Sequence, residues 1–264
     1  MFKTIKTAFA LFLGVVLLIG CGKGKTSITL AGSTAFQPFA EKLAEQYMAT
    51  NSNVNITVQG GGSAVGIQSA NSGAAQIGMA DLVTLPEEAK GLTPTVVAQD
   101  GIVVVVNPNN KIENLTAEQI RDIFNGKIAN WKEVGGIDAP ITVVSREAGS
   151  GTRSSFEQII KEITLKKDAL IQDSNGTIRE TVANDANSVG YLSHGLINEK
   201  IRALKVNNEE CTPESIASGK YILVRPIYFL VKGQIQGEIQ NFINYILSAE
   251  GQKTIKDNGL LPVK

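Results

Sequence analysis

Val143-Val144-Ser145-Arg146-Glu147-Ala148-Gly149-Ser150-Gly151-Thr152-Arg153-Ser154-Ser155-Phe156 is the stretch from which the fold is read. Ile141 to Val144 is a short β-branched run of the kind that favours a strand. Gly149 and Gly151 interrupt it. Phe156, Ile159, Ile160 and Ile163 then recur at the spacing of one helix face. The order is strand, glycine loop, helix. Ser150 and Thr152 stand where hydroxyls meet the unpaired N–H groups of a helix start. Such a start attracts anions, because the orphan amides and the helix dipole both direct positive charge into the loop. Arg146, a few residues upstream, adds a two-pronged donor for an oxyanion. Taken alone, the same residues also fit an ordinary capped helix after a tight turn.

The arrangement recurs toward the N-terminus. Ile28 to Leu30 is a strand candidate, Ala31-Gly32-Ser33-Thr34-Ala35 a small, hydroxyl-rich elbow, and Phe36, Phe39, Leu43 and Tyr47 follow at helical spacing, with Pro38 tolerated in the first turn. Val54, Ile56 and Val58 alternate as in a strand, and Gly60-Gly61-Gly62-Ser63 leads into a weak helix from Ala64 to about Ser69. Val65 stands where a dinucleotide fingerprint needs its last glycine. Ala75 to Asp81 reads as a buried strand ending in a carboxylate, and Ile102 to Val106 as a fully buried strand.

Asn107-Pro108-Asn109-Asn110 is a candidate domain boundary. Thr116-Ala117-Glu118-Gln119 can form a capping box for a helix bearing Ile120, Ile123 and Phe124 and ended by Gly126. Trp131 is expected as a packing anchor. Asn175-Gly176 precedes a helix, and Val189 to Leu192 and Ile201 to Val206 are strand candidates. Tyr221 to Val231 reads as two short strands joined through Pro226 and is the second boundary candidate. Ile239, Phe242, Ile243, Ile246 and Leu247 mark a C-terminal amphipathic helix. Strands alternating with helices give an α/β fold with mostly parallel sheets, in which ligands gather at the carboxyl ends of strands, where the elbows lie.

Composition narrows the function. The 264 residues suffice for two modest domains, and 43% hydrophobic with 19% charged residues is a globular balance. Basic and acidic residues number 25 each, so there is no basic excess for a nucleic-acid surface. One histidine, His194, and two cysteines, Cys21 and Cys211, leave no disulfide framework and no Cys/His metal cluster.

At the N-terminus, Lys3 and Lys6 precede an apolar run from Ala8 to Ile19, the pattern of a secretory signal, too short for a comfortable membrane span. Leu18-Ile19-Gly20-Cys21 resembles a bacterial lipobox. The resemblance implies cleavage of residues 1–20, acylation of Cys21 with diacylglycerol and palmitate, and a tether over 21–27. The mature chain would carry 23 basic and 25 acidic residues, two lysines fewer than the precursor. Gly22-Lys23-Gly24-Lys25-Thr26 is not a phosphate-binding P-loop, because Ile19 stands where its first glycine is needed.

Taken together, Gly32-Ser33-Thr34-Ala35, Gly60-Gly61-Gly62-Ser63 and Arg146-Glu147-Ala148-Gly149-Ser150-Gly151-Thr152-Arg153 resemble the motifs of the phosphate-binding proteins of bacterial phosphate-specific ABC transporters. Leu115-Thr116 to Gly135-Gly136 is similar to the same family, and the likeness spans nearly all of the mature chain. It implies a two-lobed, type II periplasmic-binding-protein-like fold with the ligand cleft between lobes and two crossing hinge strands. Residues 28–107 plus 221–264 would form lobe I and 108–220 lobe II. It implies phosphate contacts from Ser33, Thr34, Ala35, Ser63 and Asp81 in the first lobe and from Arg146, Ser150, Gly151 and Thr152 in the second. It also implies an extracytoplasmic, lipid-anchored monomer that hands phosphate to a permease and its ATPase, without a cofactor. Many family members carry an acidic residue immediately before the Gly-Ser-Gly-Thr core, where this chain has Ala148, so the resemblance assigns no acidic partner to Arg146.

Asp81 bears on the choice of anion. An ionised Asp81 only accepts hydrogen bonds, so it suits a ligand that keeps a proton and repels fully deprotonated sulfate. Its alternative role is to cap the turn before Leu85-Pro86. Sulfate or molybdate binding is the rival within the same class. A serine hydrolase would need a base beside its nucleophile, with His194 the only histidine and no Gly-x-Ser-x-Gly elbow around Ser63 or Ser150. A metal-dependent phosphatase would need carboxylate and histidine clusters. A structural surface lipoprotein would leave three anion-ready elbows unused.

Overall fold

The computed structural model describes residues 25–263. The signal segment, the Cys21 lipobox and most of the tether lie outside the described residues. In chain order the elements are β1 (Thr26–Gly32), α1 (Gln37–Thr50), β2 (Val54–Gln59), α2 (Ser63–Ser72), β3 (Ile77–Ala80), β4 (Leu92–Val106), β5 (Asn114–Leu115), α3 (Ala117–Phe124), β6 (Thr142–Arg146) and α4 (Gly151–Ile160). They continue as β7 (Leu170–Gln172), α5 (Asn175–Asn184), β8 (Ser188–Ser193), β9 (Arg202–Ala203), β10 (Lys205–Val206), α6 (Pro213–Ala217), β11 (Val224–Lys232), α7 (Gly237–Ile246) and α8 (Ala249–Asp257).

One sheet runs β2-β1-β3-β11-β4-β8-β6-β7, with β9 also paired to β4. Its two ends are parallel: β1 pairs with β2 and β3, and β6 with β7 and β8. Its middle is antiparallel, where β11 pairs with β3 and β4, and β4 with β8. The sheet is therefore mixed rather than mostly parallel.

The two larger of three hydrophobic clusters among the described residues flank the middle. Ile28, Leu30, Phe36, Leu43, Ile77, Phe229, Phe242 and Ile255 belong to one, whereas Val103, Val105, Phe124, Trp131, Phe156, Ile178 and Tyr191 belong to the other. Along β4 the core changes from the first at Ala98 to the second at Ile102. Along β11 it changes back between Val224 and Ile227. The chain thus crosses between the lobes on two paired strands.

β11 is a single strand, not two joined at Pro226. Pro226 stands opposite Gln99, whose N–H and C=O both bond to Leu261 on the other side, each at 2.9 Å. An antiparallel ladder alternates bonded and non-bonded pairs, so this register asks no N–H of Pro226. The missing register residue is absorbed by a bulge between Ile227 and Tyr228. β4 is longer than its apolar run and reaches back to Leu92. Ile201–Val206 is split into two short strands. α3 has its capping box, with Thr116 Oγ1 accepting from Gln119 N at 3.1 Å and Gln119 Oε1 accepting from Thr116 N at 2.9 Å. Trp131 is fully buried and donates Nε1–H to Asn187 O at 2.9 Å. No helix among the described residues is long and apolar enough to cross a membrane.

Candidate functional site

Four helices begin at the seam between the two lobes: α1 and α2 from the first, α4 and α5 from the second. Each start is built by small residues. Before α1, Ser33 Oγ accepts from Phe36 N at 3.1 Å and shapes the elbow. Gly62, at φ 87°, opens α2; a side chain there would be strained and would press on Gly149 O, 2.9 Å from its Cβ. Ser150 Oγ caps α4 through Arg153 N at 3.2 Å. Ser174 caps α5 through Thr177 N at 3.1 Å.

These starts leave backbone donors unmatched. The N–H groups of Thr34, Ala35, Ser63, Gly151 and Thr152 have no acceptor among the described residues. Ala35, Ser63 and Thr152 are each 1% exposed. A buried N–H without a partner ordinarily costs about 1–3 kcal/mol, so five at one seam mark a place meant for a ligand with several acceptor oxygens.

The seam is closed by hydrogen bonds between the lobes. Ala64 N donates to Gly149 O at 3.1 Å, Val83 N to Ser155 Oγ at 3.2 Å, and Asn175 Nδ2 to Thr34 Oγ1 at 3.1 Å. Gly151 packs on Ser63 so tightly that a Cβ would sit 2.1 Å from Ser63 Oγ and 2.6 Å from Asp81 Oδ1.

Asp81 lies at the centre, 2% exposed. Ser63 Oγ donates to Oδ1 at 2.6 Å, and Thr152 Oγ1 donates to Oδ2 at 3.1 Å. Arg225 Nη1 lies 2.5 Å from the same Oδ2. Two of the five hydroxyls expected as ligand donors, those of Ser63 and Thr152, are therefore turned onto Asp81 in this arrangement. Thr34 Oγ1 instead accepts from Asn175 and keeps its own hydrogen free. Ser33 Oγ accepts from Phe36 N within the elbow and Ser150 Oγ caps α4, and the hydroxyl hydrogens of both remain available.

Arg146 is buried at the end of β6. Glu147 receives its Nε at 2.9 Å and Nη2 at 2.8 Å, and backbone carbonyls of Gln172 and Asp173 take further bonds at 3.3 and 3.1 Å. Nη1 has no acceptor among the described residues. Glu147, not a residue at position 148, supplies the acidic support. Its Oε1 lies 3.2 Å from where a Cβ on Gly62 would stand, so the pair abuts the start of α2.

The nine residues expected from sequence are thus brought to one seam. Sequence reasoning missed Arg225, Asp100, Asn175 and Ser155. Arg225 donates to Asp100 Oδ2 through Nε at 3.2 Å and Nη2 at 2.8 Å. Its signal was a lone arginine inside the apolar run Tyr221–Val231, which has to find a buried anion. Asn175 had the signal of a fourth elbow, with Ser174 and Thr177 spaced as caps. Two guanidinium groups face three carboxylates here (Arg146 and Arg225 against Asp81, Asp100 and Glu147). The formal balance does not favour an anion, so attraction rests on aimed N–H dipoles. Burial pushes the Asp100 carboxyl above its usual range, and Arg225 opposes that shift. His194 Nδ1 pairs with Gly259 O at 3.0 Å rather than with a serine of the seam.

Comparison with known proteins agrees with this architecture. The PBP superfamily domain matches residues 21–250. The phosphate-binding protein PstS of Bacillus subtilis is 34% identical over 91% of this chain and 82% of its own. PstS of Borreliella burgdorferi is 30% identical over 90% of both chains. A Clostridium perfringens substrate-binding protein solved with bound phosphate superposes with a TM-score of 0.87 at 39% identity, covering 90% of this chain and 100% of that one. An ABC-type phosphate transport receptor from Vibrio cholerae follows with 0.74 at 35% identity, covering 89% and 99%.

Proposed function

Because the chain belongs to the PBP superfamily and, within it, to the PstS phosphate-binding proteins, we propose that it binds inorganic phosphate outside the cytoplasm and delivers it to an ABC transporter for import. The observation that carries this reading is the set of five unpartnered N–H groups around a carboxylate that can only accept. A tetrahedral anion with four oxygens uses the donors, and the proton of hydrogen phosphate uses Asp81. On binding, that proton displaces the Ser63 or Thr152 hydroxyl from Asp81, and the freed hydroxyl turns onto a ligand oxygen. Arg146 adds the charged contact through Nη1.

In this reading Ser33, Thr34, Ala35, Ser63 and Asp81 are supplied by lobe I (28–107 plus 221–264), and Arg146, Ser150, Gly151 and Thr152 by lobe II (108–220). The crossing parts of β4 and β11 are the hinge. The protein is a carrier and not a catalyst, acts as a monomer beside a permease and its ATPase, and is held at the membrane by lipid on Cys21. Calorimetric titration with phosphate and sulfate at matched ionic strength tests the central point. Strong preference for phosphate is expected, and equal binding of the two anions would refute it. Mass spectrometry of the protein from membranes tests acylation at Cys21.

A further inference from the structure

We propose that Arg225 is a specificity-determining residue, which acts through Asp81 by holding its carboxylate as a charged, fixed acceptor, and this rests on the phosphate reading above. Arg225 is fully buried, and so is its second partner, Asp100. Taking a guanidinium out of water is costly unless carboxylates compensate it, and here two do, in a defined division of labour. Nη2 and Nε grip Asp100, which faces Arg225 directly across the β11–β4 pairing. Nη1 is left for Asp81. The arginine is thus rooted in the two crossing strands and reaches from there to the seam.

The anchoring continues in a ring. Ser193 Oγ donates to Asp100 Oδ1 at 2.8 Å, and Ser193 N donates to Asn175 Oδ1 at 3.0 Å. Asn175 Nδ2 donates to Thr152 Oγ1 at 3.3 Å, and Thr152 Oγ1 donates to Asp81 Oδ2 at 3.1 Å. Every side chain in the ring is buried. Beyond Asp100 stand Cys211 and Tyr221, whose burial pushes both pKa values up and keeps both neutral. Among the described residues Arg225 is therefore the one cation paired with both carboxylates.

The consequence is selectivity rather than affinity alone. Discrimination against a fully deprotonated oxyanion requires that Asp81 have no proton to donate. Without the arginine, only the Thr152 hydroxyl still holds Oδ2, and a ligand oxygen competes for that donor, so the Asp81 carboxylate is no longer fixed toward the seam. An acceptor that can turn away no longer opposes sulfate, so the repulsive half of the discrimination is lost.

The test compares phosphate and sulfate affinities, by calorimetry, in the parent, Arg225→Gln and Arg225→Lys, with circular dichroism to establish folding. Glutamine keeps hydrogen-bond donors and removes the charge. The phosphate-to-sulfate ratio is expected to contract tenfold or more in Arg225→Gln and to recover, at least in part, in Arg225→Lys. A purely structural role weakens both anions together, so an Arg225→Gln ratio within twofold of a phosphate-selective parent overturns the inference while leaving the phosphate reading intact. A parent that does not prefer phosphate overturns both. If Arg225→Gln does not fold, Asp100→Asn decides. Freed of the competing anion, Arg225 serves Asp81 alone, so the ratio should equal or exceed that of the parent, and a contraction overturns the inference.

Discussion

Glu147 holds Arg146, the residue immediately before it, through two parallel bonds, Nε to Oε2 at 2.9 Å and Nη2 to Oε1 at 2.8 Å. β6 ends at Arg146, so the chain turns and brings both side chains to one side. The fork fixes the guanidinium plane and leaves Nη1 without an acceptor among the described residues, which is the contact the proposed function gives to phosphate. A charge-assisted bond to a buried anion is worth about 1.5–3 kcal/mol. Arg146→Ala is accordingly expected to weaken phosphate binding roughly ten- to hundredfold. Glu147→Gln, which loosens the fork without removing the cation, should cost less. Calorimetry on both variants checks the order, and an Arg146→Ala affinity within twofold of the parent would exclude direct contact.

Gly151 is where the two lobes pack most tightly at the seam, with no Cβ against Ser63 and Asp81. A Cβ there would collide with Ser63 Oγ and Asp81 Oδ1 of the opposite lobe, yet alanine suits a first helical turn better than glycine does, by up to about 1 kcal/mol. Gly151→Ala should therefore keep or raise the melting temperature of the ligand-free protein while opposing the closed state. Overpacking typically costs about 1–3 kcal/mol, so phosphate affinity should fall roughly ten- to hundredfold. Solution scattering separates the effects: phosphate should contract the parent and leave the variant open. Equal contraction in both would mean that Gly151 does not gate the seam.

What could be read from sequence was what is local. The elbows at 28–36, 56–63 and 141–152 each encode a strand, small residues and the start of a helix within a dozen positions, and the nine expected site residues lie on them or immediately after β3. What could not be read depends on distant pairing. Arg225 and Asp81 are 144 positions apart, and nothing near either names the other. The first half of β4 was hidden because Pro94, Asp100 and Gly101 interrupt its apolar pattern. It is a strand because β11 pairs along it, and Asp100 is tolerated inside because Arg225 meets it. Glu147 was visible but unassigned, since adjacent residues on a strand point to opposite faces and only the turn after Arg146 reverses that.

Asp81 carries the choice between anions in the proposed function. Its oxygens already accept from Ser63, Thr152 and Arg225, so a ligand has to bring a proton to be welcome there. Asp81→Asn replaces an acceptor by a group that also donates. The mutant should lose phosphate affinity and gain relative affinity for sulfate, narrowing the ratio. Mismatching a buried polar group costs about 1–3 kcal/mol, more for a charged one, which corresponds to roughly ten- to hundredfold in the ratio. Arsenate, which keeps a proton at neutral pH, should compete with phosphate in the parent. Competition titrations provide the measurement, and an unchanged phosphate-to-sulfate ratio in Asp81→Asn would assign Asp81 a purely architectural role.

Tyr191 makes stability sensitive to alkali. Its ring stacks on Phe156 at 4.1 Å, its hydroxyl pairs with Ser145 Oγ at 2.8 Å, and it accepts from Arg146 N at 3.3 Å, behind the site. Burial pushes its pKa up from 10.0 to about 12. Between those values the unfolded chain loses the phenolic proton while the folded protein keeps it, so the folded state binds more protons and stability falls as pH rises. This group alone contributes a slope of about 1.4 kcal/mol per pH unit across that window. Tyr47, Tyr221 and Cys211 are shifted in the same direction, chiefly by burial, and steepen the decline. Tyr191→Phe should be less stable at neutral pH by about 1 kcal/mol for its lost hydrogen bonds, but should decline less steeply above pH 10. Urea midpoints measured from pH 8 to 12 should therefore converge and cross. Parallel curves over that range would show that the Tyr191 hydroxyl titrates alike in the folded and unfolded protein.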